Sequence, residues 1–218
     1  MKESAPLCSE QLLKINKQMN KIICVIDLGN SKGTGFFCKI PFPDNKNLLP
    51  VLITCNHVLN EEYINRNKSV FISFNNQNER REIIIENRIS YTNKEYDITI
   101  IEIKSEKDNI NNFLELEELD DESLQELPVY LLQYAKGEKC LVSFGIIRRT
   151  KETNIIHNCW TDFGSAGSPI ISSKNNKVIG VHYGLCKGSS KNSFKLGTLL
   201  SIAVRDFQNI KKLNSSKK

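Results

Sequence analysis

The chain reads as an all-β protein of two six-stranded antiparallel β-barrels, with a short N-terminal helix and a C-terminal helix. Three observations predict it. Short apolar runs recur along the 218 residues, separated by turn-rich, Asn-rich segments. No long helical pattern interrupts either half. An acidic stretch near residue 120 divides the strands into two sets of six, the number that closes a small barrel.

Each element follows in order. Cys8, Leu12, Ile15 and Met19 fall at i, i+4, i+7 and i+11, one face of a helix, so residues 1–20 form an N-terminal helical segment. From Lys21 the period changes. Residues 22–26 and 36–40 are strands joined by a polar turn. Gly33 and Gly35 beside Lys32 do not make a phosphate loop, because the spacing departs from Gly-x-x-x-x-Gly-Lys-Ser/Thr and a strand follows. Strands at 51–54, 70–74, 82–85 and 98–103 complete a first barrel over 21–107. Residues 108–127 carry Glu115, Glu117, Glu118, Asp120, Asp121, Glu122 and Glu126 around Leu114, Leu116, Leu119 and Leu124, and read as a solubilising connector. Strands at 129–133, 140–148, 154–159, 169–172, 178–182 and 197–202 make a second barrel over 128–203. Residues 204–213 read as a closing helix inside a C-terminal segment, 204–218, that ends in a frayed tail.

Composition narrows the function classes. Hydrophobic residues are 39% and charged residues 25%, a balance typical of soluble domains. No apolar run approaches the roughly 20 residues that span a bilayer, so no membrane partner is expected. The net charge of +5 is mild and its basic residues are scattered. Nucleic-acid binding wants a continuous basic face with interleaved aromatics, and none is present. Residues 1–9 lack the apolar core and cleavage site of a secretory signal, which points to an intracellular, cytoplasmic protein. Seven cysteines, an odd number without Cys-x-x-Cys, read as free buried thiols in a reducing compartment. Only His57, His157 and His182 supply imidazoles, and no cysteine pair accompanies them. No metal and no cofactor are therefore expected.

Three segments carry chemistry. In 52–59 an apolar strand delivers His57 at its end. In 96–103 Asp97 opens a buried strand. In 161–170 a small-residue loop, Gly164-Ser165-Ala166-Gly167-Ser168-Pro169, leads into a strand. Singly, each has a bland explanation: a satisfied polar residue, a turn former, a loop. Their order and contexts are harder to explain as accident.

Together they resemble the motifs of trypsin-like serine peptidases with the chymotrypsin fold, and most those of the branch containing staphylococcal glutamyl endopeptidase. Cys55-Asn56-His57 resembles the histidine motif, Asp97-Ile98-Thr99-Ile100-Ile101 the aspartate motif, and residues 164–169 the nucleophile motif. Residues 178–184 resemble the strand that follows it, and Gly33-Thr34-Gly35-Phe36 also fits. The resemblance covers residues 21–210 and implies a peptide or protein substrate. It implies His57 as general base, Asp97 as its orienter, and the backbone N–H groups of Gly164 and residue 166 as the oxyanion hole. The nucleophile position departs from the pattern, because Ala166 stands where the motif requires serine. Loss of that serine typically costs on the order of 10⁶ in turnover. The intact remainder of the motif set favours an engineered replacement, and a natural pseudopeptidase is the alternative.

The resemblance also implies a specificity pocket. Thr161 sits at its floor, His182 on one wall and Gly184 beside it, a combination similar to that of peptidases accepting Glu or Gln before the scissile bond. Imidazole N–H and threonine hydroxyl both donate to such side chains. With an ordinary histidine pKa of about 6.5, acid conditions would favour Glu. Trp160 occupies the position where an Arg/Lys-specific enzyme carries an acid. Ser165 replaces the aspartate that pairs with a new N-terminus in digestive family members, so control by a regulatory protein partner or by expression is the expectation.

Overall fold

The computed structural model describes residues 8–29, 31–74, 80–117, 121–137, 139–187 and 193–215, with only the backbone described at 121–122, 186–187, 193 and 211–215. The chain opens with α1 (Ser9–Lys21), whose Ile15 enters the core and whose Gln18 accepts a hydrogen bond from Tyr130 Oη. The first sheet contains β1 (Ile23–Asp27), β2 (Lys32–Pro41), β3 (Leu48–Thr54), β4 (Ser69–Phe74), β5 (Arg81–Ile84), β6 (Ser90–Asn93) and β7 (Ile98–Glu102). A short helix, α2 (Glu61–Arg66), follows β3. The sheet order is β5-β4-β1-β2-β3-β7-β6.

The strands curl into a half-barrel, since β5 and β6 do not pair with each other. Side chains bind the chain near the open seam. Arg88 holds Asp108 through both guanidinium nitrogens, at 2.5 and 2.7 Å, with both side chains almost wholly buried. The strand β6 went unrecognised in the sequence because Ser90, Thr92 and Asn93 leave only Tyr91 as an apolar signal.

The acidic connector is packed rather than free. It follows α3 (Ser105–Asp108) and holds β8 (Leu114–Glu115), which pairs parallel with β2, and α4 (Asp121–Leu124). Leu114 is buried in the larger core and Leu124 in the second. Leu114 and Leu124 are thus among its anchoring groups.

Six strands close the second barrel: β9 (Pro128–Gln133), β10 (Leu141–Lys151), β11 (Asn154–His157), β12 (Pro169–Ser172), β13 (Val178–Lys187) and β14 (Ser193–Leu199), in the order β10-β11-β14-β13-β12-β9. The double-barrel architecture is thus the expected one. The strand expected through residue 202 ends at Leu199. The helix expected from 204 begins at Leu200, as α5 (Leu200–Ser215). Leu200, Ala203, Val204 and Phe207 are its buried stripe, at i, i+3, i+4 and i+7. The apolar run at 199–204 serves a strand or a buried helical face equally well, and packing against the first half decides. Phe207 stacks on Phe42 at 4.4 Å and lies 5.1 Å from Tyr91.

Cys8 is exposed, and Cys24, Cys38, Cys55, Cys140 and Cys159 are buried; all six are free. Among the described residues no helix is long and apolar enough to cross a membrane.

Candidate active site

A cleft of about 520 Å³ runs between the two halves, lined by His57, Thr161, Gly164, Ala166, His182 and Gly184, with Phe163 and Leu185 at its rim. The sequence-predicted residues other than Asp97 thus share one cavity, and Asp97 stands behind His57.

His57 lies in a tight turn just past β3, where Val58 and Leu59 both donate to the carbonyl of Cys55. Its side chain is half exposed. Asp97 precedes β7 in the left-handed region, at φ 50°, a conformation that costs a non-glycine residue of order 1 kcal/mol or more. That geometry lets the carboxylate grip His57 twice. One oxygen accepts the His57 backbone N–H at 2.8 Å, and the other meets Nδ1 at 2.6 Å. A carboxylate on Nδ1 keeps the proton there and leaves Nε2 as the lone-pair nitrogen, the form a general base needs.

The loop around Ala166 is fixed by the carbonyls of its peptide groups. A trans peptide directs its N–H opposite to its C=O. The Phe163 carbonyl accepts from Lys136 N–H at 2.5 Å. The Ser165 carbonyl accepts from Ser168 N–H at 3.1 Å and from Ser168 Oγ at 2.6 Å. These two peptides carry the N–H groups of Gly164 and Ala166, the expected oxyanion donors, which are aimed by hydrogen bonds on their far sides. Gly164 has φ 87° and Gly167 φ 89°. A Cβ on Gly167 would lie 2.0 Å from the Thr34 carbonyl oxygen, and no side chain fits that approach.

Thr34 ties this loop to the first half. Its N–H donates to the Ala166 carbonyl at 2.9 Å, and its hydroxyl donates to the Gly164 carbonyl at 2.7 Å while accepting Tyr134 N–H at 3.0 Å. Thr54 Oγ1 donates to the Thr34 carbonyl at 2.8 Å. The task of this hydroxyl is not legible in the sequence, since a threonine between glycines has no distinctive signal.

His182 is almost fully buried, and its Nδ1 lies 3.2 Å from Nε2 of the wholly buried His157. Burial pushes His157 down to about 3, with help from His182 and Lys195. Burial likewise pushes His182 down to about 4, against a hydrogen bond to the Leu196 backbone that opposes the shift. The expectation of titration near 6.5 is therefore corrected: the pair is neutral at ordinary pH. His157 sits on β11, 25 positions from its partner, which is why its pairing was not legible. Trp160 is half exposed, and its carbonyl accepts from Gln133 and Ser143.

Comparison with known proteins agrees with this layout. No curated protein sequence matches the chain significantly. Among solved structures, Rv3671c from M. tuberculosis H37Rv, as a serine-to-alanine mutant in its inactive form, superposes with a TM-score of 0.63 at 15% identity, covering 91% of this chain and 90% of that one. The inactive form of the Rv3671c protease gives 0.62 at 15%, covering 92% and 94%. Deg5 gives 0.62 at 15%, covering 93% and 95%. At this identity the likeness is one of fold. Residues 33–181 match the trypsin-like peptidase domain family, and with that match spanning well over half its length, the chain belongs to the trypsin-like peptidases.

Proposed function

We propose that this protein is a serine endopeptidase cleaving after Gln or Glu, with His57 as base, Asp97 as its orienter and residue 166 as the nucleophile position. The double grip of Asp97 on His57 carries the reading, because nothing in folding alone asks a carboxylate to hold one residue at both its backbone and its ring. With alanine at 166 the chain binds substrate without cleaving it.

Thr161 and His182 supply the specificity pocket in this reading, with Gly184 leaving its mouth open. A neutral imidazole offers a hydrogen bond without a compensating positive charge. A glutamine side chain enters such a pocket at lower desolvation cost than a glutamate. Glutamine is therefore preferred over glutamate at neutral pH, where burial keeps His182 uncharged. Free buried thiols support action in a reducing compartment.

Peptides differing only in Gln, Glu or Ala at one position, titrated calorimetrically into the chain as given, test this. Gln binding at least tenfold tighter than Ala, lost in His182→Ala, is the expected result. Equal affinities, or no effect of His182→Ala, would remove the pocket assignment. A second reading, a natural pseudopeptidase that signals by occupancy, is favoured by Ala166 itself and predicts the same binding without rescue of cleavage by serine.

A further inference from the structure

We infer that Cys55, His57 and Asp97 form a binding site for a thiophilic divalent cation, of which zinc is the type, and that its occupation switches the base off. The inhibitory consequence rests on the peptidase reading above; the metal binding does not.

One thiol, one imidazole and one carboxylate converge here, with a ligand atom from each lying within 4.8 Å of the others. Tetrahedral zinc holds sulfur at about 2.3 Å and nitrogen and oxygen at about 2.0–2.2 Å, which sets ligand-to-ligand edges of roughly 3.2–3.8 Å. The His57–Asp97 contact of 2.6 Å must open by roughly 0.7–0.9 Å, and the sulfur must move by up to about 1.2 Å. A fourth oxygen is already at the sulfur: Cys55 Sγ donates to the His182 carbonyl at 3.3 Å, and that carbonyl also accepts Gly167 N–H at 2.8 Å.

Charge favours the site. A thiolate and a carboxylate together neutralise a divalent ion, so the occupied site, buried at Cys55 and open at His57, carries no net charge, the condition under which taking ions from water is least costly. The proton count is simple. The ion takes the Nδ1 lone pair, so the single proton of neutral His57 resides on Nε2. The Cys55 thiol gives its proton to solvent, one per ion bound. With Nε2 protonated, His57 has no lone pair to offer a nucleophile. Neither Cys-x-x-Cys nor paired histidines announces the site, because its ligands come from the end of β3 and the start of β7.

Cobalt(II) is the probe. Titrated into the full chain, it is expected to bind one ion per chain with a near-ultraviolet thiolate-to-cobalt band, and one equivalent of zinc should displace it. The band should vanish in Cys55→Ser, and affinity should fall more than tenfold in His57→Ala. The half-exposed His57 ring is not part of the core, so the second variant remains informative if the first fails to fold. No stoichiometric binding, or a loss below tenfold in either folded variant, overturns the inference. The readout needs no turnover, so failure of the peptidase reading is a separate result.

Discussion

Thr34 makes three hydrogen bonds to the loops around Gly164, Ala166 and Tyr134, all from a fully buried position. Thr34→Val keeps the shape and removes the hydroxyl, leaving the Gly164 carbonyl and Tyr134 N–H without that partner. Urea denaturation of the chain as given should show a loss of about 1–3 kcal/mol. Asp97 acts on a different quantity. In the Ala166→Ser enzyme, Asp97→Asn should lower kcat by on the order of 10⁴ with KM little changed, read by steady-state kinetics, because the amide cannot hold the required tautomer. A fall in stability with no change in kcat would point to a scaffold role for Asp97 instead. Residues of this kind divide sharply in legibility. His57, Asp97 and Ala166 stand in recognisable local contexts. Thr34, Lys136 and His157 shape the site through partners 20 or more positions away.

At the scale of elements, strands with β-branched or aromatic runs were legible, and those whose pairing rests on backbone alone were not. β7, with four buried residues in succession, declares itself; β6, with one, does not. The start of α5 was misplaced because residues 199–204 satisfy two periodicities at once. The connector looked like a solubilising linker because its charges outnumber its leucines, yet Leu114 and Leu124 fasten it to the two cores. α5 in turn closes the first half: Phe207 fills the space between Phe42 and Tyr91, and Asp206 accepts from Tyr91 Oη at 2.6 Å. Phe207→Ala should cost about 3–5 kcal/mol, measured by chemical denaturation. A cost below about 1 kcal/mol would mean that α5 is not integral to the fold.

For the whole molecule, acid sensitivity follows from the buried histidine pair. In the folded state His157 and His182 resist protonation until about 3 and 4, whereas unfolded histidine takes a proton near 6.5. The unfolded state therefore binds more protons below about pH 6.5, and stability falls with falling pH across the window from about 6.5 to 4, with a slope of at most about 2.7 kcal/mol per pH unit. Above that window the contribution is complete and flat. Melting temperatures across pH should show this, and His157→Asn should remove roughly half of the slope. A flat profile between pH 6 and 4 would show that the two rings are not buried neutral. The double-barrel fold, at this scale, was the most legible feature of all, because twelve short apolar runs and one acidic break suffice to specify it. The half-barrel's open seam was not, and neither was the Arg88–Asp108 pair near it, whose partners stand 20 positions apart.

In the proposed reading the chain lacks only a nucleophile for peptide hydrolysis. Cleavage of a peptide library by Ala166→Ser, run beside the chain as given, tests it most directly. Cuts after Gln and Glu by the serine form, and none by the alanine form, are the expected result. A folded, peptide-binding Ala166→Ser protein that cuts nothing would contradict it, and would leave occupancy rather than hydrolysis as the protein's work.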